Sequence, residues 1–180
     1  MSRRLADHQP TPPARRESDA AVVAVVALGA NLGNREETLA QAVRDIARLP
    51  LVDDIQVVEP IETVAVTLTG ESEDAPRYLN SVALVTTRLA PSILLGYLHG
   101  IEKAHGRERG ERWGDRTLDL DLITYGDVES TNPKLTLPHP RAHEREFVLA
   151  PWLVADADAM IPGHGRVDEL LRDLRGSGPA

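Results

Sequence analysis

Two aspartates stand two residues apart in the run TLDLDLITY, and Arg107, Arg109, Arg112 and Arg116 crowd the positions just before them. Strict alternation over residues 117–125 predicts a strand, with Leu118, Leu120 and Leu122 on one face and Asp119 and Asp121 on the other. The Cα atoms of the two acids then lie roughly 6.6 Å apart. Two such charges at about 5 Å repel by roughly 3 kcal/mol at an effective dielectric of about 20, so something positive must offset them. One reading is a wet strand face balanced by Arg116 or a neighbouring lysine. The other is a Mg²⁺ site on Asp119 and Asp121, because a hard cation takes carboxylate oxygens, keeps several waters and shares its remaining positions with phosphate. Four guanidinium groups are more than one acidic pair needs, and the surplus favours a polyphosphate ligand. Arginines beside a metal and phosphate suit phosphoryl transfer, in which charge develops on non-bridging oxygens. No G-x-x-x-x-G-K-[ST] stretch occurs, so this is not a P-loop protein.

The elements that must position these groups can be read outward from them. Residues 22–28, VVAVVAL, form a continuous apolar run expected of a strand covered on both faces. After the turn GANLGN a helix places Leu39, Val43, Ile46 and Ala47 on one face, and Pro50 ends it. Ile55 to Ile61 reads as a second strand, and residues 64–77 read as a long loop. Tyr78 to Arg88 is a third strand, with Val82, Leu84 and Thr86 on one face. Pro91 opens a helix carrying Leu94, Leu98 and Ile101, and Gly106 stops it. The acidic strand follows. The order β-α-β-β-α-β predicts an α+β, ferredoxin-like sandwich with an antiparallel sheet. Residues 131–180 add a C-terminal extension with a Pro/His-rich loop and helical stretches at Glu146–Ala155 and Val167–Leu174. Residues 1–20 read as a disordered tail and 21–180 as a single domain.

Composition narrows the partners. A net charge of -8 argues against general nucleic-acid binding, which depends on phosphate neutralisation by Lys and Arg. No apolar run approaches the roughly 18 residues of a membrane span, and the opening segment lacks the apolar stretch of a secretory signal. With no cysteine there is neither a disulfide framework nor a thiolate metal site, which fits a reducing cytoplasm.

The stretches ALGANLGN, YLN, GRERGERWGDRTLDLDL, LPHPR and REFVLAP, in this order and spacing, resemble the 6-hydroxymethyl-7,8-dihydropterin pyrophosphokinase family of folate biosynthesis. The similarity covers roughly residues 22–165. It implies a ferredoxin-like fold and a reaction in which the pterin hydroxymethyl oxygen attacks the β-phosphorus of ATP, releasing AMP. It also implies two Mg²⁺ ions on Asp119 and Asp121, with Asp121 placed to help receive the proton of the attacking hydroxyl. Arg107 and Arg116 match arginines that contact the phosphates. Arg109 and Trp113 match residues on a loop that closes over the substrates and excludes water; Arg109 and Arg112 otherwise belong to a solvated basic loop, and Trp113 to packing. His139 and Arg145 match residues near the nucleotide phosphates, although His139 between two prolines also suits a turn. Glu102 matches a position on the nucleotide side, or else lies on a solvated helix face.

For the pterin, the resemblance implies stacking between Tyr78 and Phe147 and an amide contact from Asn80. Asn31 lines the same pocket or caps the following helix. Thr63 opens TVAVT, where the family has T-x-P-x-G, so this chain lacks both the Pro and the Gly of that loop. The implied enzyme works as a cytoplasmic monomer. A ferredoxin-like module that only senses a nucleotide or pterin would not need the paired acids, and a nucleotidyltransferase on this scaffold would leave the Tyr78–Phe147 pair unexplained.

Overall fold

The apolar run near the start becomes β1 (Val22–Ala30), buried on both faces. The structure, a computed structural model, describes residues 20–67, 70–72, 77–106 and 117–176, of which 65–67 and 70–72 are described for the backbone alone. Asn34 caps α1 (Arg35–Ala47), its side chain accepting the Glu37 N–H at 3.2 Å. The inward face of α1 is Leu39, Ala42 and Ile46; Ala47, expected there, is exposed because one residue further on the helix has turned about 100°.

The second strand is displaced from its expected place at 55–61. It forms β2 (Val52–Val57), breaks around Pro60, which has no N–H for a ladder, and resumes as β3 (Ile61–Thr63). The expected loop at 64–77 contains a small hairpin of β4 (Ala65–Thr67) and β5 (Gly70–Ser72). Next come β6 (Tyr78–Thr87) and α2 (Pro91–Ala104), with Pro91 in its first turn and Gly106 beyond its end at φ 83°, a conformation that glycine adopts without strain. The acidic strand is β7 (Asp119–Tyr125). A hairpin of β8 (Ser130–Asn132) and β9 (Leu135–Leu137) leads through a 3₁₀ turn (Ala142–Glu144) to α3 (Glu146–Ala155). The short strands β10 (Met160–Ile161) and β11 (Gly165–Arg166) then precede α4 (Val167–Gly176).

The main sheet runs β2-β6-β1-β7, antiparallel throughout, with β3 also on β6. Sheet and helices make the α+β, ferredoxin-like sandwich. Against one face pack α1 and α2, through Leu28, Leu39, Ile46, Leu94, Leu98 and the leucines of β7 and its approach, Leu118, Leu120 and Leu122. Burying each such side chain stabilises by about 1.5–3 kcal/mol. Against the other face pack α3 and α4, through Val25, Val82, Ile123, Leu149, Trp152 and Leu171. The alternation in β7 therefore sends its leucines to the first core and its aspartates to the face that the C-terminal extension only partly covers. Among the described residues, no helix is long and apolar enough to cross a membrane.

The two helices of the first layer are tied at one end. His105 Nε2, just past α2, lies 3.1 Å from Asp45 Oδ2 on α1. This hydrogen bond, outweighing the burial that opposes it, holds the Asp45 carboxyl below its ordinary value. A lowered folded value means that the unfolded chain binds the proton more readily. The stabilisation is therefore complete above pH of about 4 and declines as the pH falls through the lowered value. Asp45→Asn is expected to lower stability at pH 7 by no more than about 1 kcal/mol, the scale of a partly exposed pair. Thermal melts should show that gap closing as the pH falls below the ordinary carboxylate range; an equal gap at neutral and at acid pH would contradict this account.

Candidate active site

The sheet register assembles the site in rows. One row runs Ile61, Asn80, Gly29, Asp119, and another Val82, Ala27, Asp121. Residues directly opposite on neighbouring strands share a face, so Asn80 and Asp119 look out on the same side with only a glycine between them. Their Cα atoms are two strand spacings apart, roughly 10 Å. Gly29 and Ala27 thus form a low floor between an amide on one side and two carboxylates on the other. An added Cβ at Gly29 would stand 3.0 Å from Asn80 Oδ1 and 3.9 Å from Tyr78 Cδ1. Tyr78 precedes Asn80 by two positions and shares its face. Asn80 Nδ2 donates to Thr63 Oγ1 at 2.6 Å, which fixes the direction of the amide.

The acidic side is organised by the C-terminal extension. Arg145, at the entry to α3, donates from Nη1 to Asp121 Oδ2 at 2.8 Å, and His139 Nε2 stands 3.9 Å from the same oxygen. The backbone N–H of His139 donates to Ile123 O at 2.8 Å, so the residue is tied to β7 through its main chain. Burial holds the His139 imidazole below the usual histidine value; Asp121 and Asp119 pull it up, while Arg145 and Arg141 push it down. The ring is therefore neutral at pH 7. Phe147 follows on the first turn of α3, half-buried, with the Arg145 guanidinium carbon 5.7 Å from its ring centroid.

Among the described residues, no group of three or more His, Cys, Asp or Glu side chains is disposed to hold a metal ion. Two carboxylates on one face nevertheless suit Mg²⁺, which is bound through one or two carboxylates and fills its other positions with water and substrate phosphate. Asp119 and Asp121, both half-buried, are the residues that could hold it.

The structure thus brings Thr63, Tyr78 and Asn80 together at one end of the floor, and Asp119, Asp121, His139 and Arg145 at the other. Asn31 is buried at the end of β1, and the helix cap belongs to Asn34. Glu102 is not on a solvated helix face: it is 1% exposed, and its Oε1 accepts the Leu120 N–H at 2.9 Å. Arg107, Arg109, Arg112, Trp113 and Arg116 lie outside the described residues. Sequence reasoning missed the direct Arg145–Asp121 pair, whose members are 24 positions apart. It also missed Gly29 and Ala27 as a floor, although their small size inside a β-branched strand is a signal of close approach.

The α+β sandwich with paired carboxylates on its open face suits an enzyme that transfers phosphoryl or pyrophosphoryl groups. The chain belongs to the 7,8-dihydro-6-hydroxymethylpterin-pyrophosphokinase family, which matches residues 25–157. Its reaction is pyrophosphoryl transfer from ATP to hydroxymethyldihydropterin, a step of folate biosynthesis. Among relatives, the 2-amino-4-hydroxy-6-hydroxymethyldihydropteridine pyrophosphokinase of Haemophilus influenzae is 37% identical over 153 residues, 85% of this chain and 93% of that protein. The protein of the same name from Pseudomonas aeruginosa is 36% identical, across 81% of this chain and 88% of its own length. Among solved structures, the Plasmodium falciparum HPPK-DHPS crystallised with pteroate shares the fold, at a TM-score of 0.61 and 12% identity over 88% of this chain. This chain spans 43% of that larger one.

Proposed function

We propose that the transfer occurs over the Gly29–Ala27 floor, with the pterin at the Asn80 end and the ATP triphosphate at the Asp119–Asp121 end, together with two Mg²⁺ ions. The observation that carries this reading is the row Asn80, Gly29, Asp119, an amide and a carboxylate on one face with only a glycine between them. Asn80, held by Thr63, meets the amide edge of the ring. Tyr78 and Phe147 stack on its faces, and Asn31 closes the pocket. Once bound, the ions neutralise the triphosphate and lower the proton affinity of the hydroxymethyl group.

The residues then divide the work. Asp119 and Asp121 orient the ions, and Arg145 orients Asp121. The neutral imidazole of His139 can donate to a phosphate oxygen. Arg107 and Arg116 bind the triphosphate, together with Arg109 and Trp113. The hydroxymethyl oxygen forms a bond to the β-phosphorus as the bond from that phosphorus to the α–β bridging oxygen breaks. AMP leaves with the bridging oxygen, and Asp121 helps to receive the proton of the attacking hydroxyl. The protein works as a monomer in the cytoplasm.

The test is AMP release from ATP and Mg²⁺ in the presence and absence of hydroxymethyldihydropterin. Release that depends on both pterin and Mg²⁺ is expected; release without pterin, or none with it, would overturn the reading. The floor makes a separate prediction. Gly29→Ala brings a methyl within 3.0 Å of Asn80 Oδ1 and displaces the amide by a few tenths of an ångström. Misaligning one buried hydrogen bond should weaken pterin binding by about tenfold. Nucleotide binding should stay unchanged, and calorimetry with each ligand separates the two.

A further inference from the structure

Glu102 is among the most deeply buried side chains of α2, at 1% exposed. Its side chain points from α2 into the sandwich, where a carboxylate is costly unless paired or hydrogen-bonded. There it reaches the backbone of the acidic strand, with Oε1 accepting the Leu120 N–H at 2.9 Å. Among the described residues, β7 is the edge of the main sheet. In an antiparallel pair, alternate residues turn their N–H and C=O groups away from the partner strand. Leu120 is such a residue, and an outward N–H on a buried edge needs an acceptor. Further along the same edge, His139 N–H donates to Ile123 O at 2.8 Å. Groups from outside the sheet therefore hold the free side of β7 at two points.

Leu120 is also the residue between Asp119 and Asp121. The Leu120 N–H belongs to the peptide unit that joins Asp119 to Leu120, and Asp121 follows on the next, so the direction of that amide bears on where both carboxylates point. We infer that Glu102 is a positioning residue for the acidic pair: its buried carboxylate pins the Leu120 N–H and thereby sets the spacing and direction of the Asp119 and Asp121 side chains. This inference rests on the proposed role of those aspartates in holding Mg²⁺.

Two variants and an activity-free readout test it. In the unliganded enzyme, the Leu120 amide should be protected from hydrogen exchange, as edge amides without a partner are not. Fast exchange of that amide in the wild-type protein would overturn the inference whether or not any variant folds. Glu102→Ala should accelerate Leu120 exchange by at least about tenfold while central β1 amides stay protected. It should lower kcat and raise the Mg²⁺ concentration for half-maximal rate, each by roughly 10- to 100-fold, as loss of a supporting partner does. At saturating Mg²⁺ the KM for ATP should change by less than about threefold. Glu102→Gln keeps an acceptor oxygen and should restore most of the protection and of kcat. A nucleotide-contacting Glu102 would give the opposite split, a raised KM for ATP with kcat and Leu120 exchange unchanged, and that result would overturn the assignment. Failure of pterin-dependent AMP release would instead strike the proposed reaction, leaving the amide measurement to stand alone.

Discussion

Asp121→Asn is expected to reduce turnover by about 10³-fold or more, the scale on which pre-organised charge at a reacting phosphate is lost. The substitution keeps the size of the side chain and an oxygen for Arg145 Nη1, which donates to Asp121 Oδ2 at 2.8 Å. Loss of the ion pair should then cost on the order of 1 kcal/mol, because both partners retain some exposure. Circular dichroism should show the fold intact. The diagnostic measurement is nucleotide binding with and without Mg²⁺. Without metal, the wild-type carboxylates repel the triphosphate, so the variant should bind metal-free ATP as well as or better than wild type. With metal, the variant should gain little, because one of the two carboxylates proposed to hold the ion is neutral. Asp119→Ala should give the same pattern. Turnover like that of wild type in either variant, or Mg²⁺-enhanced binding of undiminished size, would remove the acidic pair from the mechanism.

Phe147→Ala is expected to have the second largest effect. It removes one face of the proposed pterin stack, and the combined loss of buried area and ring contact should be about 2 kcal/mol, roughly a 30-fold weaker pterin affinity. ATP affinity should change by less than about threefold, since the 5.7 Å contact of Arg145 with the Phe147 ring is a minor restraint on that guanidinium. Phe147 also packs against the core beneath α3. Phe147→Leu separates the two duties by keeping apolar volume without a π-face. If Phe147→Leu binds pterin like wild type, the ring contributes packing alone and the stacking role is lost.

Much of the arrangement was legible in a single short run of residues. The alternation through Leu118, Asp119, Leu120, Asp121 and Leu122 placed each side chain on its face, because a strand has no other way to dispose of them, and Leu118, Leu120 and Leu122 do enter the α1/α2 core. Pro91 and Gly106 marked the ends of α2 for similarly local reasons. Interactions set by the tertiary path were not legible. Nothing near Glu102 tells that its carboxylate crosses to Leu120, or that Arg145 returns to Asp121. The displacement of the second strand shows a subtler failure. VDDIQV carries too many polar residues to look like sheet, yet it pairs with β6 because its ladder needs only backbone groups, and Asp53 finds Arg88 across the pair. The short hairpins escaped notice because three-residue strands have no period to detect.

The dependence of the acidic strand on groups that follow it has a consequence for synthesis on the ribosome. At about 5–20 residues per second, the 24 positions separating Asp121 from Arg145 take on the order of one to five seconds to add. Until then a nascent chain displays bare acids beside the uncovered side chains of Val25, Val82 and Ile123, which α3 and α4 later conceal. A half-made molecule would thus lack the Arg145 contact of its acidic strand and leave an apolar face open to chaperones. The segment from Arg145 through α4 ends both conditions, so the C-terminal extension finishes the acidic strand and hides the sticky face alike.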